Sequence, residues 1–192
     1  MAHGNLTLPN LLTAARLALV PFVAWYLAQG DLEWAFWLFA AAALTDLLDG
    51  NLARLLNQRT VLGAWLDPIA DKAMLLSTLL MLAWLEALPL WLGVLVALRD
   101  CVVLLGAAAY RTLTGGLEVA PTWWGKAATA AEFVLVSLVL ADLALGWGLA
   151  FLDPIAWLTG LLVSISGLHY IQVWTAKTRA WKAARAGHAV RS

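Results

Sequence analysis

Residues 45–72 read TDLLDGNLARLLNQRTVLGAWLDPIADK, and four aspartates, Asp46, Asp49, Asp67 and Asp71, punctuate them. Upstream, back to Leu32, and downstream, to Leu85, the chain is almost uninterruptedly apolar. Each flank, continued into the adjoining part of the quoted stretch, supplies about the 20 residues that cross roughly 30 Å of hydrocarbon as a helix. The quoted stretch is therefore the adjoining ends of two membrane helices and the turn between them.

Working outward, six apolar stretches are expected to form helices, at 9–29, 32–57, 65–85, 88–112, 123–145 and 149–174. Alternation of polar and apolar residues is absent, which argues against a β-barrel. The 192-residue chain is 63% hydrophobic and 12% charged, whereas a soluble domain carries about 25% charged residues. That composition excludes a disordered chain, a nucleic-acid-binding module and a secreted disulfide scaffold. The 12 basic and 12 acidic side chains cancel, and Cys101 is the one cysteine, so neither an internal disulfide nor a cysteine-cluster zinc site is available. The fold class is all-α, an integral membrane bundle of six transmembrane helices. Residues 1–176 form the membrane domain and 177–192 a basic cytoplasmic tail.

Charge asymmetry sets the orientation. The turns near residues 30, 86 and 147 contain Asp31, Glu33, Glu86, Asp142 and Asp153 but no Lys or Arg. The basic residues lie toward the other side, among them Arg54, Arg59, Lys72, Arg111, Lys126 and the tail from Lys177 to Arg191. The positive-inside rule then places both termini in the cytoplasm. The expected location is the inner, cytoplasmic membrane.

Each charge at the centre of a membrane helix costs roughly 2.5–3.5 kcal/mol on the insertion scale, so four carboxylates need compensation. On an ideal helix Asp46, Asp49, Gly50 and Ala53 share one face, and Asp67 and Asp71 form one stripe. The two helices run antiparallel, which sets Asp46 level with Asp71 and Asp49 with Asp67, in a pocket opening to the cytoplasm. An all-oxygen donor set suits Mg²⁺ or Mn²⁺, and two such ions clamp the oxygens of a phosphoryl-type displacement. Gly50, Ala53 and Gly63 leave room for a bulky ligand, and Arg54 offers a fork for a diphosphate. The structural alternative is carboxylates paired with Arg54, Arg59 and Lys72, with the small residues serving helix packing.

The pattern Asp46-x2-Asp49-Gly50-x2-Ala53-Arg54-x8-Gly63-x3-Asp67-x3-Asp71 resembles the complete signature of the CDP-alcohol phosphatidyltransferase family. The resemblance implies that Asp46, Asp49, Asp67 and Asp71 hold two divalent ions. It implies that Gly50, Ala53, Arg54 and Gly63 line the cytidine diphosphate site, and that Asp71 also acts as base for the acceptor hydroxyl. It further implies a homodimer acting on CDP-diacylglycerol and a phospholipid acceptor in the bilayer.

The remaining polar residues bear on the acceptor. Asn10, Thr13 and Arg16 stand at three-residue spacing on the first helix, in an opening that resembles both phosphatidylglycerophosphate synthases and CDP-diacylglycerol-dependent cardiolipin synthases. Both groups also show a pair like Asp71-Lys72. Arg99-Asp100 lies inside an apolar run, where an ionisable pair is a functional candidate. Phosphatidylglycerophosphate synthases typically have Arg-Glu there and a second Arg eight residues on; this chain has Asp100 and Ala107, with Arg111 a turn further. Together with PTWWGK and its Lys126, this resembles the cardiolipin synthases more, and implies phosphatidylglycerol as acceptor, with cardiolipin and CMP as products. The alternatives are glycerol 3-phosphate as acceptor and, outside enzymes, a divalent-cation transporter.

Overall fold

In the computed structural model, the described residues are 8–55, 61–114 and 122–189, with side chains described at 10–46, 69–110, 112, 122–179 and 181. They form six helices: α1 Leu8–Gln29, α2 Leu32–Leu55, α3 Val61–Trp84, α4 Leu90–Thr114, α5 Trp123–Leu145 and α6 Leu152–Ala189. Over the described residues four segments are long and apolar enough to cross a bilayer: Asn10–Gln29, Leu90–Tyr110, Trp123–Leu145 and Leu152–Arg179.

The helix ends follow from local chemistry. Gly30, at φ 79°, closes α1: its N–H donates to the Leu27 carbonyl and the Asp31 N–H to the Tyr26 carbonyl, the paired bonds of a Schellman stop. The Asp31 carbonyl then accepts from Ala35 and opens α2, so two residues suffice to reverse the chain. At the end of α3 the same two bonds form around Glu86, at Glu86 N to Ala83 O and Ala87 N to Leu82 O. Glu86 takes the left-handed conformation, φ 61°, without being glycine. After α5 the Asp142 carboxylate accepts from the Leu149 N–H at 2.8 Å and ties down the connecting loop. Thr122 caps α5, its Oγ accepting from the Gly125 N–H at 3.1 Å.

The chain sorts into two compact units, residues 1–93 with 133–152, and 94–132 with 153–192. In the first, α1 packs against both α2 and α3. Its buried core includes Val23, Leu27, Ala35, Phe39, Leu79 and Leu82, and Phe39 stacks on Phe133 with ring centroids 5.9 Å apart. In the second, α4 and α6 meet at successive turns. Arg99 meets Ser166 and Tyr170, the Trp174 indole fills the space beside Gly106 where a β-carbon would stand, and Tyr110 lies 5.6 Å from Trp174. Large apolar side chains such as Leu104, Leu105, Trp157 and Leu161 point outward, as on a surface solvated by lipid.

The expected α5 matches at both ends, and α1, α2 and α4 agree within two residues. By contrast, α3 starts four residues earlier than expected, and α6 runs on through residue 176 to Ala189 without a break. Hydropathy records where apolar residues stop, but a helix needs only helix-forming residues, and the Ala-, Lys- and Arg-rich segment after 176 supplies them.

Candidate functional site

The first unit brings three charged side chains from three helices to one point. Arg16 on α1 is 2% exposed. Its Nη1 donates to Asp46 Oδ1 on α2 at 2.8 Å and to Asp71 Oδ1 on α3 at 2.5 Å. The Asp46 and Asp71 side chains are 44% and 47% exposed, so both stay partly open while the guanidinium that joins them is buried. Asp46 and Asp71 are thus neighbours, in the register that antiparallel stacking of α2 and α3 predicts.

Local sequence explains the meeting. Asn10, Thr13 and Arg16, three residues apart, are all buried on one face of α1. A hollow of about 310 Å³ lined by Thr13, Ala14, Leu17 and Ala18 borders that face; it is apolar and holds none of the carboxylates. Lys72, beside Asp71, is partly buried and has an interaction partner of its own. The side chains of Asp49, Gly50, Ala53, Arg54, Gly63 and Asp67 lie outside the described residues, although their backbone belongs to the end of α2 and the start of α3. Among the described residues no three His, Cys, Asp or Glu side chains cluster in a metal-binding arrangement.

A second polar cluster is built within the other unit. Arg99, buried on α4, donates from Nη1 to Asp100 Oδ1 at 2.7 Å. It donates from Nε and Nη2 to Ser166 Oγ at 3.2 and 3.1 Å, and from Nη2 to the Gly125 carbonyl at 3.2 Å. The guanidinium carbon lies 5.7 Å from the centre of the Tyr170 ring, a cation–π distance, and the Tyr170 hydroxyl accepts from the Thr122 N–H at 3.4 Å. Arg99 therefore ties α4 to the first turn of α5 and to α6. Lys126, one residue past Gly125, is exposed, and the Arg111 side chain is outside the described residues. Further along α6, the Lys177 ammonium lies 5.5 Å from the Tyr110 ring and 5.9 Å from the Trp174 ring.

Gly125, Ser166 and Tyr170 were not among the residues expected from sequence. A signal for two of them exists: Thr159, Ser166 and Tyr170 are seven and four residues apart, one helical stripe in an otherwise apolar run, and all are buried.

The sequence has known relatives. The sequence model of CDP-alcohol phosphatidyltransferases matches residues 6–166. A cardiolipin synthase (CMP-forming) of Streptomyces coelicolor is 38% identical over 148 residues, covering 74% of this chain and 68% of that protein. A probable cardiolipin synthase (CMP-forming) of Drosophila melanogaster is 35% identical over 190 residues, covering 86% of this chain and 57% of that protein. A probable phosphatidylglycerophosphate synthase of Mycobacterium tuberculosis is 35% identical over 173 residues, covering 85% of this chain and 79% of that protein. The chain spans about two thirds of the Streptomyces relative's length and just over half of the Drosophila one's. With the match running across most of its length and through both acidic helix ends, this chain belongs to the CDP-alcohol phosphatidyltransferase family and is an enzyme of that type.

Proposed function

We propose that the enzyme transfers the phosphatidyl group of CDP-diacylglycerol to the hydroxyl of phosphatidylglycerol, giving cardiolipin and CMP. The observation that carries the reaction class is the meeting of Asp46 and Asp71, from two helices, with their outer surfaces exposed. Hard carboxylate oxygens fit Mg²⁺ or Mn²⁺, and Asp46, Asp49, Asp67 and Asp71 would hold two such ions. When bound, they supply electrostatic stabilisation to the charge that develops on the diphosphate.

The chain's own residues do the rest. Arg54 orients the cytidine diphosphate by a forked contact, and Gly50, Ala53 and Gly63 let it approach the helix backbones. Asp71 accepts the proton of the acceptor hydroxyl. That oxygen bonds to the phosphorus bearing the diacylglycerol, the bond from this phosphorus to the oxygen of CMP breaks, and CMP leaves with the electron pair. Lys72, Arg111 and Lys126 are the cations we assign to the acceptor, together with Asn10 and Thr13. Arg16 and Arg99 are already engaged, with carboxylates and with a buried network respectively. All six helices cross the inner membrane, both termini and the site face the cytoplasm, and the chain works as a homodimer.

The choice of acceptor draws on the cardiolipin synthase relatives and on charge. Glycerol 3-phosphate brings about two negative charges that must be stripped of water, whereas phosphatidylglycerol brings one and arrives through the bilayer. The second reading, glycerol 3-phosphate as acceptor, is favoured by the Mycobacterium relative. Purified protein in liposomes, given CDP-diacylglycerol and each acceptor in turn, decides between them. Cardiolipin and CMP are expected; phosphatidylglycerophosphate without cardiolipin would establish the second reading. Divalent-cation flux without CMP would establish a transporter.

A further inference from the structure

Arg16 belongs to the acidic centre, not to the acceptor. We infer that it is a positioning residue, which fixes Asp46 and Asp71 in the orientation that divalent ions require. The inference rests on the metal-dependent reading above.

Three observations carry it. First, one nitrogen, Nη1, serves both carboxylates, at 2.8 and 2.5 Å, so α1 sets the separation of two oxygens that belong to α2 and α3. Second, exposure is divided sharply: the Arg16 side chain is 2% exposed and those of Asp46 and Asp71 44% and 47%. The cation stands behind two acids whose side chains stay partly exposed. Third, Arg16 is among the largest fully buried side chains, so it offers no solvent-facing flank to an incoming phosphate. An acceptor phosphate that reached Nη1 would have to displace a carboxylate.

Two effects of Arg16 on metal binding oppose each other. Its positive charge repels a divalent ion, so removing the charge alone would tighten binding. Its geometry aligns two ligands for ions that demand near-ideal octahedral coordination. Residues that orient metal ligands from behind are typically worth about 10–100-fold in affinity, and alignment is the effect expected to win.

The test is direct Mn²⁺ binding to the full-length protein in detergent, read from the electron paramagnetic resonance signal of the unbound ion. Arg16→Lys keeps the charge, but its shorter and more flexible stem does not hold a nitrogen where Nη1 stands; Arg16→Gln loses both the charge and that placement. Mn²⁺ binding about tenfold or more weaker in Arg16→Lys, with an unchanged KM for phosphatidylglycerol at saturating Mn²⁺, supports positioning. Weaker binding in Arg16→Gln supports it independently, because loss of charge predicts the opposite sign. Wild-type affinity in Arg16→Lys, or tighter binding in Arg16→Gln, overturns it. So does a raised KM for phosphatidylglycerol with Mn²⁺ affinity unchanged, which would return Arg16 to the acceptor. Absence of Mn²⁺ binding by the wild-type protein would overturn the metal-dependent reading itself, a distinguishable failure.

Discussion

Arg99 sets two of its nitrogens on a single oxygen: Nε and Nη2 lie 3.2 and 3.1 Å from Ser166 Oγ. With Asp100 and the Gly125 carbonyl completing the set, the side chain works as a three-helix clamp. Arg99→Leu leaves Asp100 buried without this partner, and removing one member of a buried ion pair costs about 3–5 kcal/mol. Ser166→Ala removes one acceptor and is expected to cost about 1–2 kcal/mol. Thermal unfolding in detergent should rank wild type above Ser166→Ala and Ser166→Ala above Arg99→Leu. An Arg99→Leu protein as stable as wild type, but with a raised KM for the acceptor, would give Arg99 a binding role instead.

Gly125 carries no side chain for a local reason. A β-carbon there would lie 2.8 Å from the Tyr170 hydroxyl and 3.1 Å from Thr122 Oγ. Gly125→Ala is therefore expected to cost about 1–3 kcal/mol, as overpacking does. Because the closest atom is a hydroxyl, Tyr170→Phe in the Gly125→Ala background should recover part of that loss. Denaturant or thermal unfolding of the single and double variants measures the recovery.

Glu86 offers the opposite opportunity. It is exposed, and it holds a φ of 61° that glycine adopts without strain. A left-handed residue with a β-carbon costs about 1–2 kcal/mol, partly offset by glycine's greater freedom when unfolded. Glu86→Gly should raise the unfolding temperature modestly and leave turnover unchanged.

The acidic centre predicts loss without collapse. Asp46→Asn, Asp49→Asn, Asp67→Asn and Asp71→Asn should each reduce turnover at least about a hundredfold, since ion-based charge stabilisation is worth several kcal/mol. The variants should still insert into membranes. Excess EDTA should abolish activity of the wild type, and added Mg²⁺ or Mn²⁺ should restore it. Full activity in EDTA would defeat the metal-dependent reading.

Much of this was legible in the primary structure, and the exceptions share a cause. Six apolar stretches announce six helices because lipid-facing surface needs apolar residues. The meeting of Asp46 with Asp71 follows from helical spacing plus antiparallel stacking. The start of α3 and the end of α6 were misplaced, since backbone hydrogen bonding continues where hydrophobicity does not. The partners of Arg16 are 30 and 55 positions away, on other helices. Periodicity within one helix says which face a residue takes, but not which side chain it meets across the packing. For the same reason Arg99 pointed to Asp100, its neighbour in sequence, and gave no sign of Ser166, 67 positions away.

At 38 residues α6 is about 57 Å long, and no break divides it. Ser166 and Tyr170 sit against Arg99, Trp174 against Gly106, and Lys177 over Tyr110. The order along α6 is the order along α4, so the two helices run alongside in the same direction, like the teeth of a zip. A slip of one residue would swing every tooth by about 100° at once. The buried cation, the glycine notch and the aromatic cradle at the tail's edge are then engaged together or lost together. The register of α6 is thereby read at three fastenings at once, and a slip in it cannot spare one of them.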